Sequence, residues 1–145
     1  SLKTDVLING LSACLEIQVD PGTGLSRSGE LSCLTATIPN SDNFEFIIRS
    51  ADPIDQIIKI FSKNNVSTGI DVLDKRLVVK SNNERIVRQL FGNPELEVLF
   101  NLQHTLNFSI RARVLQLKID TALVTRAEFE TFYHAFIVVV GMLVT

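Results

Sequence analysis

The chain has 145 residues, of which 46% are apolar and 21% charged, and its 14 basic and 16 acidic side chains give a net charge of −2. A chain of this length can fold as one domain without disulfides or a metal. The near-neutral balance argues against a dedicated nucleic-acid-binding surface. The longest uncharged apolar run, residues 135–145, is about half of the ~20 residues that cross a bilayer.

Alternating apolar and polar residues predict three strands in the first fifty positions, at 13–20, 33–38 and 44–49. Residues 2–11 fit either a helix or a strand. Segment 20–30, rich in Gly, Ser and Pro, reads as a loop. Three strands joined by loops without a helix between them predict an antiparallel meander.

After residue 50 the apolar spacing becomes helical. An acidic N-cap followed by proline predicts a helix over 52–61, and a short strand follows at 77–79. Residues 81–84, Ser-Asn-Asn-Glu, resemble a capping box that opens the next helix. Gly92 is expected to end that helix in the left-handed conformation, and Pro94 to begin another.

Two alternating segments on either side of Ala112 and Arg113 predict a hairpin. A two-residue turn there places Ile110 opposite Leu115, although Ala-Arg is poor chemistry for a tight turn. A second capping box at 125–128 opens the C-terminal helix. One face of that helix is predicted to carry Phe129, Phe132, Phe136, Val140 and Leu143.

These elements predict an α+β fold of two layers, in which a mainly antiparallel sheet of about six strands packs against helices. The long C-terminal helix is expected to lie across the sheet. Residues 1–145 form one domain, and because the first residue is Ser1 rather than Met, we expect it to be excised from a larger protein.

Cys14 and Cys33 both fall on predicted strands and share parity with polar neighbours. If those strands pair, the two thiols lie near each other on one face. Two cysteines make neither a disulfide framework nor a zinc site, so we expect both to stay reduced in a cytosolic domain.

The stretch around residues 66–84 carries a spaced set of glycine, acidic and apolar residues, namely Gly69, Asp71, Leu73, Asp74, Leu77, Val79 and Glu84. In these residues it resembles an uncharacterised prokaryotic domain family with a Gly-x-Asp-x-Phe-Asp-x-x-Phe-x-Val type motif. Leucines stand at 73 and 77, where that pattern has phenylalanine, and the resemblance covers residues 31–144. The resemblance implies a bacterial module of a membrane-associated protein, often next to membrane helices, and no enzyme class.

Asp71 and Asp74, three residues apart, are the carboxylates that a metal site or an acid–base pair would use. Such a site needs further ligands, and none stands nearby in the sequence. The favoured interpretation is that Asp74 caps a turn and Asp71 is solvated.

Arg111, Arg113 and Lys118 are expected on the face of the hairpin opposite the core. Such a patch suits phosphates, of lipid head groups or of nucleic acid. No exposed aromatic residues alternate with it, which weighs against single-stranded nucleic acid. A solvated face or a protein contact is the favoured interpretation.

No nucleophile elbow, zinc-protease motif or glycine-rich phosphate loop occurs in the sequence, and His104 and His134 are too far apart to suggest a metal site. We therefore expect no enzyme activity, no cofactor and no metal. The sequence predicts a non-catalytic interaction or scaffolding module with a protein partner, no nucleic acid, and a cytoplasmic location with membrane proximity through the parent protein.

Two alternatives remain open at this point. One is a binding domain for a lipid or small apolar ligand between the sheet and the C-terminal helix, with Phe129, Phe132 and Phe136 lining the cavity. The other is an enzyme that uses Asp71 or Asp74 together with His104 or a basic residue.

Overall fold

The computed structural model describes residues 2–8, 10–20, 29–50, 65–102, 105–120 and 125–144. The helix predicted over 52–61 and most of the loop predicted over 20–30 lie outside these residues. Everything stated below about the structure refers to the described part of the chain.

Seven strands form one sheet in the described residues, with every neighbouring pair antiparallel. The strands are β1 Leu2–Ile8, β2 Leu11–Asp20, β3 Gly29–Thr37, β4 Phe46–Ser50, β5 Leu77–Ser81, β6 Leu106–Arg111 and β7 Val114–Ile119. Their order across the sheet is β1-β2-β3-β7-β6-β4-β5. The predicted α+β class is confirmed, and residues 2–8, which fitted a helix or a strand, form a strand.

Four helices are described: α1 Asp71–Arg76, α2 Glu84–Phe91, α3 Pro94–Phe100 and α4 Arg126–Val144. The six-residue helix α1 was not predicted, because it is too short for a periodic apolar signal. The start of α3 at Pro94 is confirmed. So is the start of α4, where the Thr125 hydroxyl accepts a hydrogen bond from the Glu128 backbone N–H at 3.1 Å.

The core lies between the helices and one face of the sheet. Alternate residues of the central strands, such as Phe108 and Leu117, are fully buried in one cluster with the apolar sides of α2, α3 and α4. The ring of Phe136 stacks 6.2 Å from that of Phe108, so α4 packs directly on β6. The two-layer arrangement and the inward side of the C-terminal helix follow from this packing.

The predicted hairpin is confirmed, with Ile110 opposite Leu115 and Phe108 opposite Leu117. The chain accommodates its unusual turn because Ala112 adopts φ +55°, the positive value that such turns require. A β-carbon in this region is strained, and glycine is the residue that relieves the strain.

Two predictions about α2 are wrong. Asn83, not Ser81, caps the helix: its side-chain oxygen accepts from the Ile86 N–H at 3.2 Å. Ser81 still belongs to β5, and its hydroxyl donates to the Glu45 carbonyl at 2.7 Å instead. Both are good capping residues, and pairing of β5 with β4 decides between them.

Gly92 is not left-handed, since its φ and ψ are −69° and −12°. Asn93, which precedes α3, is extended with φ −93° and ψ 125°, so the chain passes from α2 to α3 without a left-handed residue. A β-carbon at Gly92 would lie 3.1 Å from the Gln89 carbonyl oxygen. The glycine therefore permits a close backbone approach at this junction.

Cys14 and Cys33 lie on the sheet face opposite the helices, and both are free thiols. Cys14 pairs with Thr35, and Cys33 pairs with Glu16, so the two cysteines are diagonal neighbours. Diagonal neighbours are about 7–8 Å apart, which is longer than a disulfide spans without backbone movement.

Candidate interaction surface

The carboxylate of Asp74 is occupied by the loop that precedes α1. One oxygen accepts from the Thr68 N–H and the Thr68 hydroxyl, each at 2.8 Å. The other accepts from the Ser67 hydroxyl at 2.6 Å. The same hydroxyls accept from the N–H groups of Gly69 and Ile70. Asp74 thus organises the hydrogen-bonded loop that precedes α1.

Asp71 lies apart from this network. It is the first residue of α1 and is exposed to solvent. In the described residues no group of three or more His, Cys, Asp or Glu side chains comes together. Within the part of the chain that the structure describes, Asp71 and Asp74 therefore do not come together with a third His, Cys, Asp or Glu ligand.

In the described residues, no histidine joins Asp71 or Asp74 in a common site. His134 is exposed on α4, where its ring lies 6.4 Å from that of Tyr133. His104 falls outside the described residues. The acid–base alternative for Asp71 or Asp74 gains no support from the residues that the structure places.

The three basic residues of the hairpin do not form one patch. Arg111 pairs with Val114 at the turn, and Arg113 is exposed within the turn. Lys118 pairs with Asn107 and lies four residues beyond Val114 along β7. This spacing puts Lys118 about 13 Å from the turn end of the hairpin. Arg111 and Lys118 share the sheet face opposite the core, as predicted, but only Arg111 and Arg113 are close.

A surface cleft of about 390 Å³ lies between α3 and α4. We call it the α3–α4 cleft. Its apolar part comes from Pro94, Val98 and Ala127, and Val98 is 53% exposed although it is a large aliphatic side chain. The remaining lining residues are Glu95, Glu130, Thr131 and His134.

Sequence periodicity explains why Val98 faces out. The side chains of Leu96, Leu99 and Phe100 are buried under α3, and they leave position 98 on the opposite side of this short helix. On α4 the buried side chains at 132, 135, 136, 139 and 140 direct Ala127 and His134 outward in the same way. The two outward sides meet where α3 packs on α4.

The charge of the α3–α4 cleft is mainly acidic. Glu95 makes no ion pair in the described residues, and Glu130 accepts from the Arg126 guanidinium at 2.9 Å, a contact between exposed side chains. Exposed pairs of this kind are weak, so Glu130 remains available to a second cation. The cleft thus offers apolar contact flanked by carboxylates.

The outer side of α4 continues the cleft as an apolar strip. From Ile137 to Val144 every side chain is apolar, and the outward ones, including Val138, are only half-buried. By length and composition α4 is long and apolar enough to cross a membrane, a test that core helices also pass, and 28% of its most apolar stretch is buried.

The sequence did not single out the α3–α4 cleft. Its signal was present in Val98, an aliphatic residue outside the apolar stripe of α3, but single exposed valines are common. Comparison of the chain with protein-family models, curated proteins and solved structures gives no match. The resemblance over residues 31–144 stays a prediction.

Proposed function

We propose that this domain is a non-catalytic interaction module of a larger, membrane-associated protein, and that a protein partner binds in the α3–α4 cleft. The observation that carries the proposal is the exposed Val98 between two carboxylates, Glu95 and Glu130. An aliphatic side chain in a cleft between helices is a common anchor point for a partner helix.

The chemistry of the cleft defines its occupant. Apolar lining residues favour an aliphatic or aromatic anchor, and the carboxylates of Glu95 and Glu130 favour lysine or arginine beside it. The occupant that fits both is an amphipathic helix with a basic flank. Such a helix can extend along the apolar strip of α4 that begins at Ile137.

The apolar-ligand alternative receives less support. Phe132 and Phe136 are fully buried, and the ring of Phe136 stacks on Phe108 in the core. Aromatic rings therefore occupy the space that a ligand between sheet and helix would need. Phe129 is half-buried and stacks on Tyr133, 5.7 Å away, at the start of α4.

The experiment is a selection of displayed helical peptides on the immobilised domain. We expect enriched peptides to combine aliphatic anchors with lysine or arginine. Their binding should weaken with Glu95→Lys or Glu130→Lys and weaken with rising salt. Glu97→Lys is the matched control, since Glu97 is exposed on the same helix and does not line the cleft.

Two outcomes would count against the proposal. Enriched peptides that bind the Glu95→Lys, Glu130→Lys and Glu97→Lys variants alike would place the interaction elsewhere. Selections without any enriched cationic, apolar sequence would remove the case for this occupant.

A further inference from the structure

A second surface lies at one end of the sheet, away from the α3–α4 cleft. The β1–β2 turn, the β6–β7 turn, the segment from Ile38 to Glu45, and the β5–α2 junction all lie at this end, because the register aligns them. We call it the basic end and define it by Lys80, Arg85, Arg111 and Arg113.

The basic end is held in place by side-chain hydrogen bonds. The Asn40 amide donates to the carbonyls of Phe44, at 2.9 Å, and of Ala112. The Asn82 amide donates to the Asn43 carbonyl at 2.8 Å, and its oxygen accepts from the Glu45 N–H at 2.9 Å. Segment 38–45 is therefore joined both to the hairpin turn and to the start of α2.

The four cations at this end form no ion pair in the described residues, in contrast to two arginines elsewhere. Arg88 and Arg126 form ion pairs with glutamates four residues away. Arg85, Arg111 and Arg113 form none in the described residues, and neither does Lys80. Asp42 and Glu45, the two carboxylates of segment 38–45, also form no salt bridge in the described residues, so the four cations outnumber them.

Exposed aliphatic side chains lie on the same face of the sheet as Arg111 and Lys80. Val114 is 44% exposed and Ile47 43%, and Leu7, 73% exposed, lies on the edge strand β1, three strands from β7. Val114 pairs with Arg111 across the hairpin, and Ile47 lines a cleft with Arg111 and Lys80. The last turn of α4 lies close by, in a cleft that Met142, Leu143 and Val144 share with Arg85.

We infer that the basic end docks on an anionic lipid surface. Unpaired arginines attract acidic head groups, and exposed aliphatic side chains beside them enter the boundary between head groups and acyl chains. A nucleic acid would use the charges but would gain nothing from Leu7 and Val114. The inference uses residues outside the α3–α4 cleft, so each of the two proposals can be tested independently of the other.

The test is sedimentation of the whole chain with unilamellar vesicles. We expect binding to an equimolar mixture of phosphatidylserine and phosphatidylcholine and none to phosphatidylcholine alone. Removing one basic side chain at such a surface lowers the partition coefficient about fivefold. The double variant Arg111→Gln with Arg113→Gln should therefore weaken vesicle binding roughly 25-fold. Binding should also fall in about 1 M salt, where the screening length is about 3 Å.

Two further variants separate the contributions. Lys118→Gln is the matched control, because Lys118 lies at the opposite end of the same hairpin and forms no ion pair in the described residues. Binding should stay within about twofold, since this separation exceeds the screening length of about 8 Å at physiological salt. Leu7→Thr with Val114→Thr keeps every charge and should still weaken binding. Circular dichroism of each variant establishes that the fold is retained.

Equal binding to neutral and anionic vesicles, or no binding to either, would overturn the inference. A loss with Lys118→Gln equal to that of the double arginine variant would also overturn it, because the attraction would then be nonspecific. If duplex DNA competes fully and the Leu7 and Val114 substitutions change nothing, the surface binds polyanions in general and not membranes.

Discussion

Asp74 and Thr68 are joined by two hydrogen bonds of 2.8 Å, one from the Thr68 N–H and one from its hydroxyl, to the same carboxylate oxygen. Thr68 is buried, whereas Asp71, the other carboxylate of the sequence pair, is exposed. The pair that resembled a site in the sequence therefore has two different roles in the structure. One carboxylate holds a loop, and the other lies at a helix N-terminus.

Asp74→Ala should lower the free energy of unfolding by about 2 kcal/mol. The substitution removes a charged acceptor and leaves a buried N–H and hydroxyl without their partner. Asp71→Ala should change it by less than about 0.5 kcal/mol. Urea unfolding of both variants measures the difference, and equal effects would refute the structural role assigned to Asp74.

Phe136→Ala should lower the free energy of unfolding by about 3–5 kcal/mol, because it opens a cavity against Phe108 in the packed core. Phe129→Ala, at a half-buried position, should cost less. If Phe136 instead lined a ligand cavity, its truncation would cost little stability. Thermal unfolding of the two variants would then show similar small shifts, contrary to this account.

Ala112→Gly should raise the stability of the domain by about 1 kcal/mol. The positive φ of Ala112 costs a residue with a β-carbon, and glycine adopts it freely. Ala127→Gly, on an exposed position of α4, should lower stability instead. A stabilisation of both variants, or of neither, would show that the hairpin turn is not strained at Ala112.

Much of the fold was predictable because local signals agreed with the packing. Alternation predicted β2, β3, β4, β6 and β7, and the capping box at Thr125 predicted the start of α4. Residues 2–8 were ambiguous, since Leu2, Val6 and Leu7 with Leu11 also suit a helix. Only pairing with β2 decides the matter.

The errors came from competition that only tertiary contacts resolve. Ser81 and Asn83 are both good caps, and the pairing of Ser81 with Phe46 keeps the serine in β5. The insertion of β7 between β3 and β6 depends on contacts far apart in sequence. No local pattern encodes it.

The candidate surfaces were less predictable than the fold. Arg111 and Arg113 were identified from the sequence. Lys118 lies on the predicted face of the sheet, but at the opposite end of the hairpin from these two arginines. Their location at the same end of the sheet as Leu7 and Arg85 depends on strand order and register. The α3–α4 cleft likewise depends on how two helices pack, which the apolar stripe of each helix alone does not determine.

The central claim is that a partner binds through Val98, and one pair of variants tests it most directly. Val72 is 64% exposed on α1 and does not line the α3–α4 cleft, so Val72→Glu matches Val98→Glu in chemistry but not in place. Fluorescence anisotropy of a peptide selected on the native domain measures both affinities.

We predict that Val98→Glu weakens the affinity by about tenfold or more, as expected for an anchor residue at the centre of an interface. Val72→Glu should leave it within about twofold. Equal affinities for the two variants would contradict the proposal that the α3–α4 cleft is the interaction site.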